Sequence, residues 1–184
     1  MSKAVLVVDI QKDYFPGGKF PLVNQEEAAQ VASKIIADAR AKSVPVIFIQ
    51  HLSADPTAIP FFIPETDGAE IADAVKPLEN EEVIKKFYPN SFRDTTLKAS
   101  LDKLGQPADV ELIIIGSMAQ MCIEATTRHA ADAGYKCVVI KDACASPDQE
   151  YDNIKISGQQ VHAVAMNALA FGYAKVVKAD EYLA

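Results

Sequence analysis

The stretch IIIGSMAQMCIEATTRHAADAGY, residues 113–135, decides the fold. It opens on an unbroken β-branched run, which is typical of a strand buried on both faces of a parallel sheet. A short turn at Gly116 and Ser117 follows, and a helical pattern then extends from Cys122 to Ala133. Gly134 is predicted to end that helix, because glycine readily adopts the left-handed conformation found there. A buried strand that leads at once into a helix indicates a β-α-β crossover.

The rest of the chain repeats this alternation of buried strands and helices. The strands are predicted at Ala4–Val8, Val44–Ile49, Val110–Ile115 and Cys137–Ile140, with edge strands at Glu82–Ile84 and Lys175–Val177. The helices are predicted at Gln25–Lys42, Thr95–Leu104, Cys122–Ala133 and Gly158–Tyr173. The order predicts an α/β fold: a three-layer αβα sandwich with a doubly wound, mainly parallel sheet of about six strands.

Length and composition indicate how many domains the chain forms and which partners it disfavours. The 184 residues are 49% hydrophobic and 23% charged, which suits one domain over residues 1–184 and excludes a disordered chain. A net charge of −7 disfavours nucleic acid as a partner. The one irregular segment, residues 52–81, holds four of the ten prolines. A long excursion of this kind is more often a functional loop near an active site than a linker.

The location is predicted from the N-terminus and the cysteines. Only five apolar residues precede Asp9, too few for a signal peptide, and no run is long enough to cross a membrane. Cys122, Cys137 and Cys144 form no CxxC pair, so neither a zinc knuckle nor a disulfide framework is expected. These features favour a cytoplasmic protein without membrane partners.

The chemistry is expected beyond the carboxyl ends of the strands, where open α/β sheets bind ligands. Cys122 lies where a strand and turn become a helix, and a helix N-terminus lowers a thiol's pKa. It is a candidate nucleophile, with a buried structural thiol as the alternative. Asp9 ends the first strand as a candidate general base or a loop-organising side chain. Lys86 would hold both groups as anions if it points inward; a solvated lysine is the alternative.

Other candidate residues carry weaker signals. None of His51, His129 and His162 forms an HxxxH or HxH pair, so no metal site and no cofactor are expected. We predict a set of substrate contacts whose alternative roles are ordinary core or loop packing. Its members are Phe15, Gln50, His51, Phe61, Phe62, Gln120 and Met121.

Four segments together resemble the isochorismatase-like cysteine hydrolases, the superfamily that includes nicotinamidases and N-carbamoylsarcosine amidase. They read VLVVDIQKDYF, VIKKFYPNSFRDTTL, IIIGSMAQMCIEATTRHAADAGY and VVIKDACAS, in that order over almost the whole chain. The resemblance implies a catalytic triad of Asp9, Lys86 and Cys122, with Lys86 chosen over Lys85 by its spacing to Phe92. It also implies a cis peptide between Ser117 and Met118, which turns the Met118 N–H toward an oxyanion hole shared with the Cys122 N–H.

The resemblance implies hydrolysis of an amide or ureide C–N bond of a small molecule through a thioester on Cys122. Nicotinamidases carry an aspartate and several histidines after the second strand to bind a metal. This chain reads IQHLS there, residues 49–53, so neither that metal site nor nicotinamide as substrate is expected. The alternatives are an isochorismatase-type vinyl-ether hydrolase, which does not rely on the cysteine, and a non-catalytic binding protein on the same fold. A homo-oligomer, dimer or tetramer, is expected from the family.

Overall fold

The structure is a computed structural model that describes residues 1–184. Its eight strands are β1 Ser2–Val8, β2 Val46–His51, β3 Glu82–Lys86, β4 Val110–Ser117, β5 Lys136–Ala145, β6 Gln149–Tyr151, β7 Ile154–Ile156 and β8 Lys175–Val177. Its five α-helices are α1 Gln25–Ala41, α2 Leu97–Asp102, α3 Glu124–Asp132, α4 Gly158–Gly172 and α5 Ala179–Leu183. No helix combines the length and the apolar character that crossing a bilayer requires.

Six strands form one parallel sheet in the order β3-β2-β1-β4-β5-β8. From β1 the chain winds outward through β2 and β3, and then returns to place β4 on the other side of β1. The order therefore reverses between β1 and β4. A crevice opens beyond the carboxyl ends of two strands at such a reversal, and ligands of open α/β sheets bind there.

Helices cover both faces of the sheet, because successive side chains of a buried strand point to opposite faces. On one face, Val5 and Val7 of β1 pack with Ile35 and Ile36 of α1. On the other face a larger core joins the alternate β1 residues to α2, α3 and α4. The predicted three-layer αβα fold is confirmed.

Gly116 brings β1 and β4 unusually close at their carboxyl ends. It adopts a positive φ of 126°, and a Cβ atom there would overlap the main-chain oxygen of Val8. The pairing of β4 with β5 shifts register at the same place, since Ile114 pairs with Val139 but Gly116 with Cys144. A bulge of this kind re-aims the segment that follows it, which here leads to Cys122.

Several elements differ from the sequence prediction. The helix predicted to begin at Cys122 is preceded by a π-helical turn over Ala119–Ile123, and the α-helix itself begins at Glu124. Strand β5 continues beyond Ile140 to Ala145, because the bulge lets it stay paired with β4. The two-stranded antiparallel hairpin β6–β7 and the terminal helix α5 were not predicted. Their runs are too short for a periodic signal.

Candidate active site

Asp9 and Lys86 form a buried ion pair at the reversal of strand order. Asp9 follows β1 directly, Lys86 is the last residue of β3, and both side chains are fully buried. The Lys86 Nζ lies 2.9 Å from Asp9 Oδ2 and donates a 2.8 Å hydrogen bond to the main-chain oxygen of Pro89. Neither oxygen of Asp9 accepts a well-directed hydrogen bond. The carboxylate is therefore held by charge and keeps its lone pairs open to a third partner.

The third partner is Cys122, whose side chain is 2% exposed. The π-helical turn carries it over the ends of β1 and β4, and the Cys122 Sγ lies within 4.8 Å of an Asp9 oxygen. The other two cysteines lie apart from this group: the thiols of Cys137 and Cys144 contact main-chain oxygens in their own surroundings. Of the three thiols, only Cys122 meets the carboxylate and the ammonium.

The three groups set one another's charge. Burial acts to raise the pKa of Asp9, but Lys86 and His51 outweigh it and hold that pKa below its usual value. Burial acts to lower the pKa of Lys86, and the anionic Asp9 reverses this, so that its pKa lies above the usual value. Burial, followed by Asp9, raises the pKa of the Cys122 thiol against the opposing effect of Lys86. The resting site is a carboxylate, an ammonium and a neutral thiol.

The sequence prediction of a lowered thiol pKa is therefore wrong for the ligand-free protein. Lys86 does favour the thiolate, as expected, but burial of Cys122 has the larger effect. Removal of the thiol proton then needs an acceptor within reach, and Asp9 is the anionic group that lies there.

His51 joins the group from the end of β2. Its Nδ1 lies 3.5 Å from Asp9 Oδ2 and 3.7 Å from Cys122 Sγ. Its Nε2 is buried and has no hydrogen-bond partner. Asp9, His51 and Cys122 thus offer one oxygen, one nitrogen and one sulfur to a common point. Sequence spacing missed this set because its members lie on three separate segments.

Gln11 holds the main chain of His51 in place. Its Nε2 donates to the main-chain oxygens of His51 and Ala69, both at 2.8 Å, and its Oε1 accepts from the His51 N–H at 2.8 Å. Because the Gln11 side chain is fully buried, these bonds form away from water, where losing one is costly. Gln11 is a positioning residue that the sequence analysis did not select, although it lies two residues after Asp9.

An aromatic cluster lies beside the site. Tyr14, Phe20, Phe61 and Phe62 make it up, with Met118 packed against them. The ring centroids of Tyr14 and Phe62 are 4.5 Å apart, and those of Phe62 and His51 are 6.0 Å apart. The predicted contacts Phe61 and Phe62 thus lie at the site, joined by Tyr14, which was not predicted.

Asp13 fixes the irregular segment 52–81 over this cluster. Its Oδ2 accepts a 2.7 Å hydrogen bond from the Phe62 N–H, and its Oδ1 accepts one of 3.1 Å from the Lys19 N–H. Asp13 itself is buried. Part of segment 52–81 is therefore anchored to the turn that follows β1, which keeps Phe62 close to His51.

The remaining predicted contacts lie at different distances from Asp9, Lys86 and Cys122. Phe15 lines a groove of about 630 Å³ with Lys12 and Gly68 and is not part of the aromatic cluster. The Gln50 side chain donates to the main-chain oxygen of Ala69, at 2.9 Å, and so braces segment 52–81.

Two predicted contacts immediately precede Cys122. The Nε2 of Gln120 lies 3.8 Å from the sulfur of Met118, and its Oε1 is buried without a partner. The side chain of Met121 is 42% exposed. These residues form the rim of the site.

The segment before Cys122 carries a cis peptide bond between Ser117 and Met118. The hydroxyl of Ser117 donates a 2.7 Å hydrogen bond to Gln25 Oε1, at the first residue of α1. This bond joins the end of β4 to α1, which packs on the sheet face opposite to α3.

Comparisons with known proteins agree with this fold and site. The family model "Isochorismatase domain" matches residues 3–179. An uncharacterized isochorismatase family protein of Bacillus subtilis is 43% identical over 183 residues, which cover 100% of this chain and 99% of that protein. Nicotinamidase 3 of Arabidopsis thaliana is 28% identical, with 97% of this chain and 85% of that protein covered.

A solved structure is similarly close. An isochorismatase hydrolase of Oleispira antarctica superposes with a TM-score of 0.92 at 44% identity, covering 98% of this chain and 95% of that chain. The family-model match spans nearly the whole chain, and 99% of the Bacillus subtilis protein and 95% of the Oleispira antarctica chain are covered. This chain is therefore a hydrolase of the isochorismatase family.

Proposed function

We propose that this protein hydrolyses an amide or ureide C–N bond of a small molecule through a thioester on Cys122. The observation that carries the proposal is the meeting of Asp9, Lys86 and Cys122, fully buried, at the reversal of strand order. A binding protein has no need of an ion pair beside a thiol, and vinyl-ether hydrolysis has no need of the thiol. The similarity to a nicotinamidase supports a C–N bond as the target.

The first half-reaction forms the thioester. As the Cys122 sulfur attacks the substrate carbonyl, the thiol proton moves to Asp9, and the carbonyl oxygen takes the negative charge. The main-chain N–H of Met118 has no acceptor within the protein, which leaves it for that oxygen, together with the N–H of Cys122. The intermediate collapses, the C–N bond breaks, and Asp9 passes its proton to the leaving nitrogen.

The second half-reaction regenerates the site. A water molecule gives one proton to Asp9 and attacks the thioester carbonyl. The C–S bond then breaks, and the proton on Asp9 returns to the Cys122 sulfur. Lys86 is charged at the start of each half-reaction, because the adjacent carboxylate then holds its pKa above the usual value. Its role is to keep Asp9 ionised at the start of each half-reaction.

The substrate is expected to be small and partly apolar. Tyr14, Phe61 and Phe62 provide rings beside the reacting groups, and His51 Nε2 supplies one unpaired polar atom. Side chains of these kinds would bind an apolar body through the rings and orient it through a few polar contacts.

The test is a panel of primary amides and N-carbamoyl compounds, scored by release of ammonia or amine. Acid-quenched samples are then examined by intact mass for an acyl group on Cys122. Cys122→Ala is expected to lose both signals, and Cys137→Ser, which changes a buried thiol outside the site, is expected to keep both. Turnover that survives in Cys122→Ala overturns the thioester and points to vinyl-ether chemistry instead.

We also infer that the chain forms a homo-oligomer. Helix α4 carries no charged residue, and its outward side chains Val164 and Phe171 are 69% and 93% exposed. The hairpin β6–β7 adds exposed Tyr151 and Ile154. Tyr151 and Phe171 alone present roughly 300–400 Å² of surface, a large share of the about 800 Å² that each partner of a stable dimer buries. A second copy of the chain is the proposed occupant.

Two further expectations stay proposals. Residues 1–184 are proposed to act as one domain, in keeping with the family match over residues 3–179. A cytoplasmic location remains a prediction from the N-terminal sequence.

A further inference from the structure

We propose that Asp9, His51 and Cys122 form a binding site for a borderline-soft divalent cation such as Zn²⁺, which inhibits the protein reversibly. The cation site stands on geometry alone. That its occupancy inhibits turnover rests on the proposed function, because the cation would occupy the thiol that attacks the substrate.

Two of the three ligand separations fit a tetrahedral centre, and the third, from an Asp9 oxygen to Cys122 Sγ, is within 4.8 Å. Zinc is bound at about 2.0–2.1 Å by nitrogen, 2.0–2.2 Å by oxygen and 2.3 Å by sulfur. Tetrahedral angles then separate nitrogen from oxygen by about 3.4 Å and nitrogen from sulfur by about 3.6 Å. His51 Nδ1 lies 3.5 Å from Asp9 Oδ2 and 3.7 Å from Cys122 Sγ. Both separations agree with the ideal values within about 0.1 Å.

The donor set is chemically selective. One thiolate, one imidazole and one carboxylate suit Zn²⁺, whereas Mg²⁺ and Ca²⁺ prefer oxygen ligands. Three protein ligands leave the fourth tetrahedral position open, as in other zinc sites that bind water or an exogenous group.

The ligand atoms are available to a cation. Both oxygens of Asp9 are buried and accept no well-directed hydrogen bond. The main chain of His51 is held on both its N–H and its carbonyl by Gln11, so the ring starts from a fixed backbone. The other histidines are engaged elsewhere: His129 Nδ1 lies 3.1 Å from Asn90 Nδ2, and His162 Nε2 lies 2.8 Å from the Lys141 oxygen.

Two features of the same site weaken binding and make it reversible. The Lys86 ammonium, 2.9 Å from Asp9 Oδ2, repels a cation placed beside that carboxylate. The neutral thiol of Cys122 must also release its proton as the sulfur–metal bond forms.

The experiment measures the cation directly on the full chain. Co²⁺ serves as the spectroscopic probe, since a cobalt–thiolate bond produces a charge-transfer absorption, and calorimetric titration gives the Zn²⁺ affinity. Cys122→Ala and His51→Asn are compared with Cys137→Ser, a matched variant that removes a buried thiol elsewhere. Thermal melts of each variant confirm that it is folded.

The expected result is a thiolate–cobalt band in the unchanged protein and in Cys137→Ser, with no band in Cys122→Ala. The Zn²⁺ affinity is expected to fall more than about tenfold in Cys122→Ala and in His51→Asn. A missing band in the unchanged protein, or the same Zn²⁺ affinity in folded Cys122→Ala, overturns the proposal. If turnover survives in Cys122→Ala while the band is lost, the proposed function fails and the cation site remains.

Discussion

Replacing Lys86 by methionine tests whether the buried ion pair is the structural centre of the site. The change keeps a long unbranched side chain but removes the charge that lies 2.9 Å from Asp9 and the donor to the Pro89 oxygen. Removing one partner of a buried pair typically costs about 3–5 kcal/mol, because the other charge is left uncompensated. With a urea m-value of about 1–3 kcal/mol per molar, the unfolding midpoint falls by about 1–5 M.

The pH dependence sharpens this prediction. In the unchanged protein the pKa of Asp9 is lowered, so its contribution to stability is present above the unfolded pKa and is lost as pH falls through the folded pKa. In Lys86→Met, burial of Asp9 is no longer opposed by the ammonium, and its pKa rises. The loss of folding stability in Lys86→Met is then smaller at low pH, because Asp9 is protonated there and carries no charge. The difference in stability between the two proteins should therefore shrink on acidification.

The control is Lys85→Met, one residue earlier on β3, where the side chain is exposed. Surface changes of this kind usually alter stability by no more than about 0.5 kcal/mol. Urea unfolding of both variants at pH 7 and near pH 4, with turnover measured in parallel, completes the assay. Equal stability losses for Lys85→Met and Lys86→Met, or a Lys86→Met loss that does not change with pH, would refute the reasoning.

Three further predictions concern the surroundings of the site. Gly116→Ala should destabilise the folded protein by about 3 kcal/mol, because its Cβ would overlap main chain at a positive φ. The control is Gly172→Ala, whose Cβ would lie in open space, and thermal melts should show a neutral or slightly stabilising effect. Gln11→Leu leaves the buried N–H and carbonyl of His51 unpaired, so urea unfolding should show a loss of about 2–5 kcal/mol together with reduced turnover. Phe171→Glu should lower the molar mass measured by light scattering to that of the monomer without loss of folded structure; an unchanged oligomer would contradict the α4 interface.

Local sequence patterns predict much of the fold. Nearly continuous apolar runs such as Val110–Ile115 are typical of strands buried on both faces, and strands that alternate with helices favour a parallel sheet. Asp9 follows one such strand directly and Cys122 follows another after a short turn, which places both at one edge of the sheet. The resemblance of four segments to a known family then implies that Lys86 joins these two residues in one site.

Finer local features carry weaker signals. The π-helical turn over Ala119–Ile123 and the bulge at Gly116 decide the position of Cys122, but both depend on packing against β1 and β5. The hairpin β6–β7 is only three residues on each strand, and a run of that length has no measurable period. These features are set by the neighbouring elements rather than by their own residues.

The sequence by itself determined the class of fold, the edge of the sheet that carries the chemistry, and the residue types available there. Only the tertiary structure decided that His51 reaches both Asp9 and Cys122, that Gln11 holds it, and that burial keeps the thiol neutral. The physical reason is strand register. His51 of β2 lies opposite Lys86 of β3, and this alignment is fixed by pairing between segments far apart in the chain, which no local pattern records.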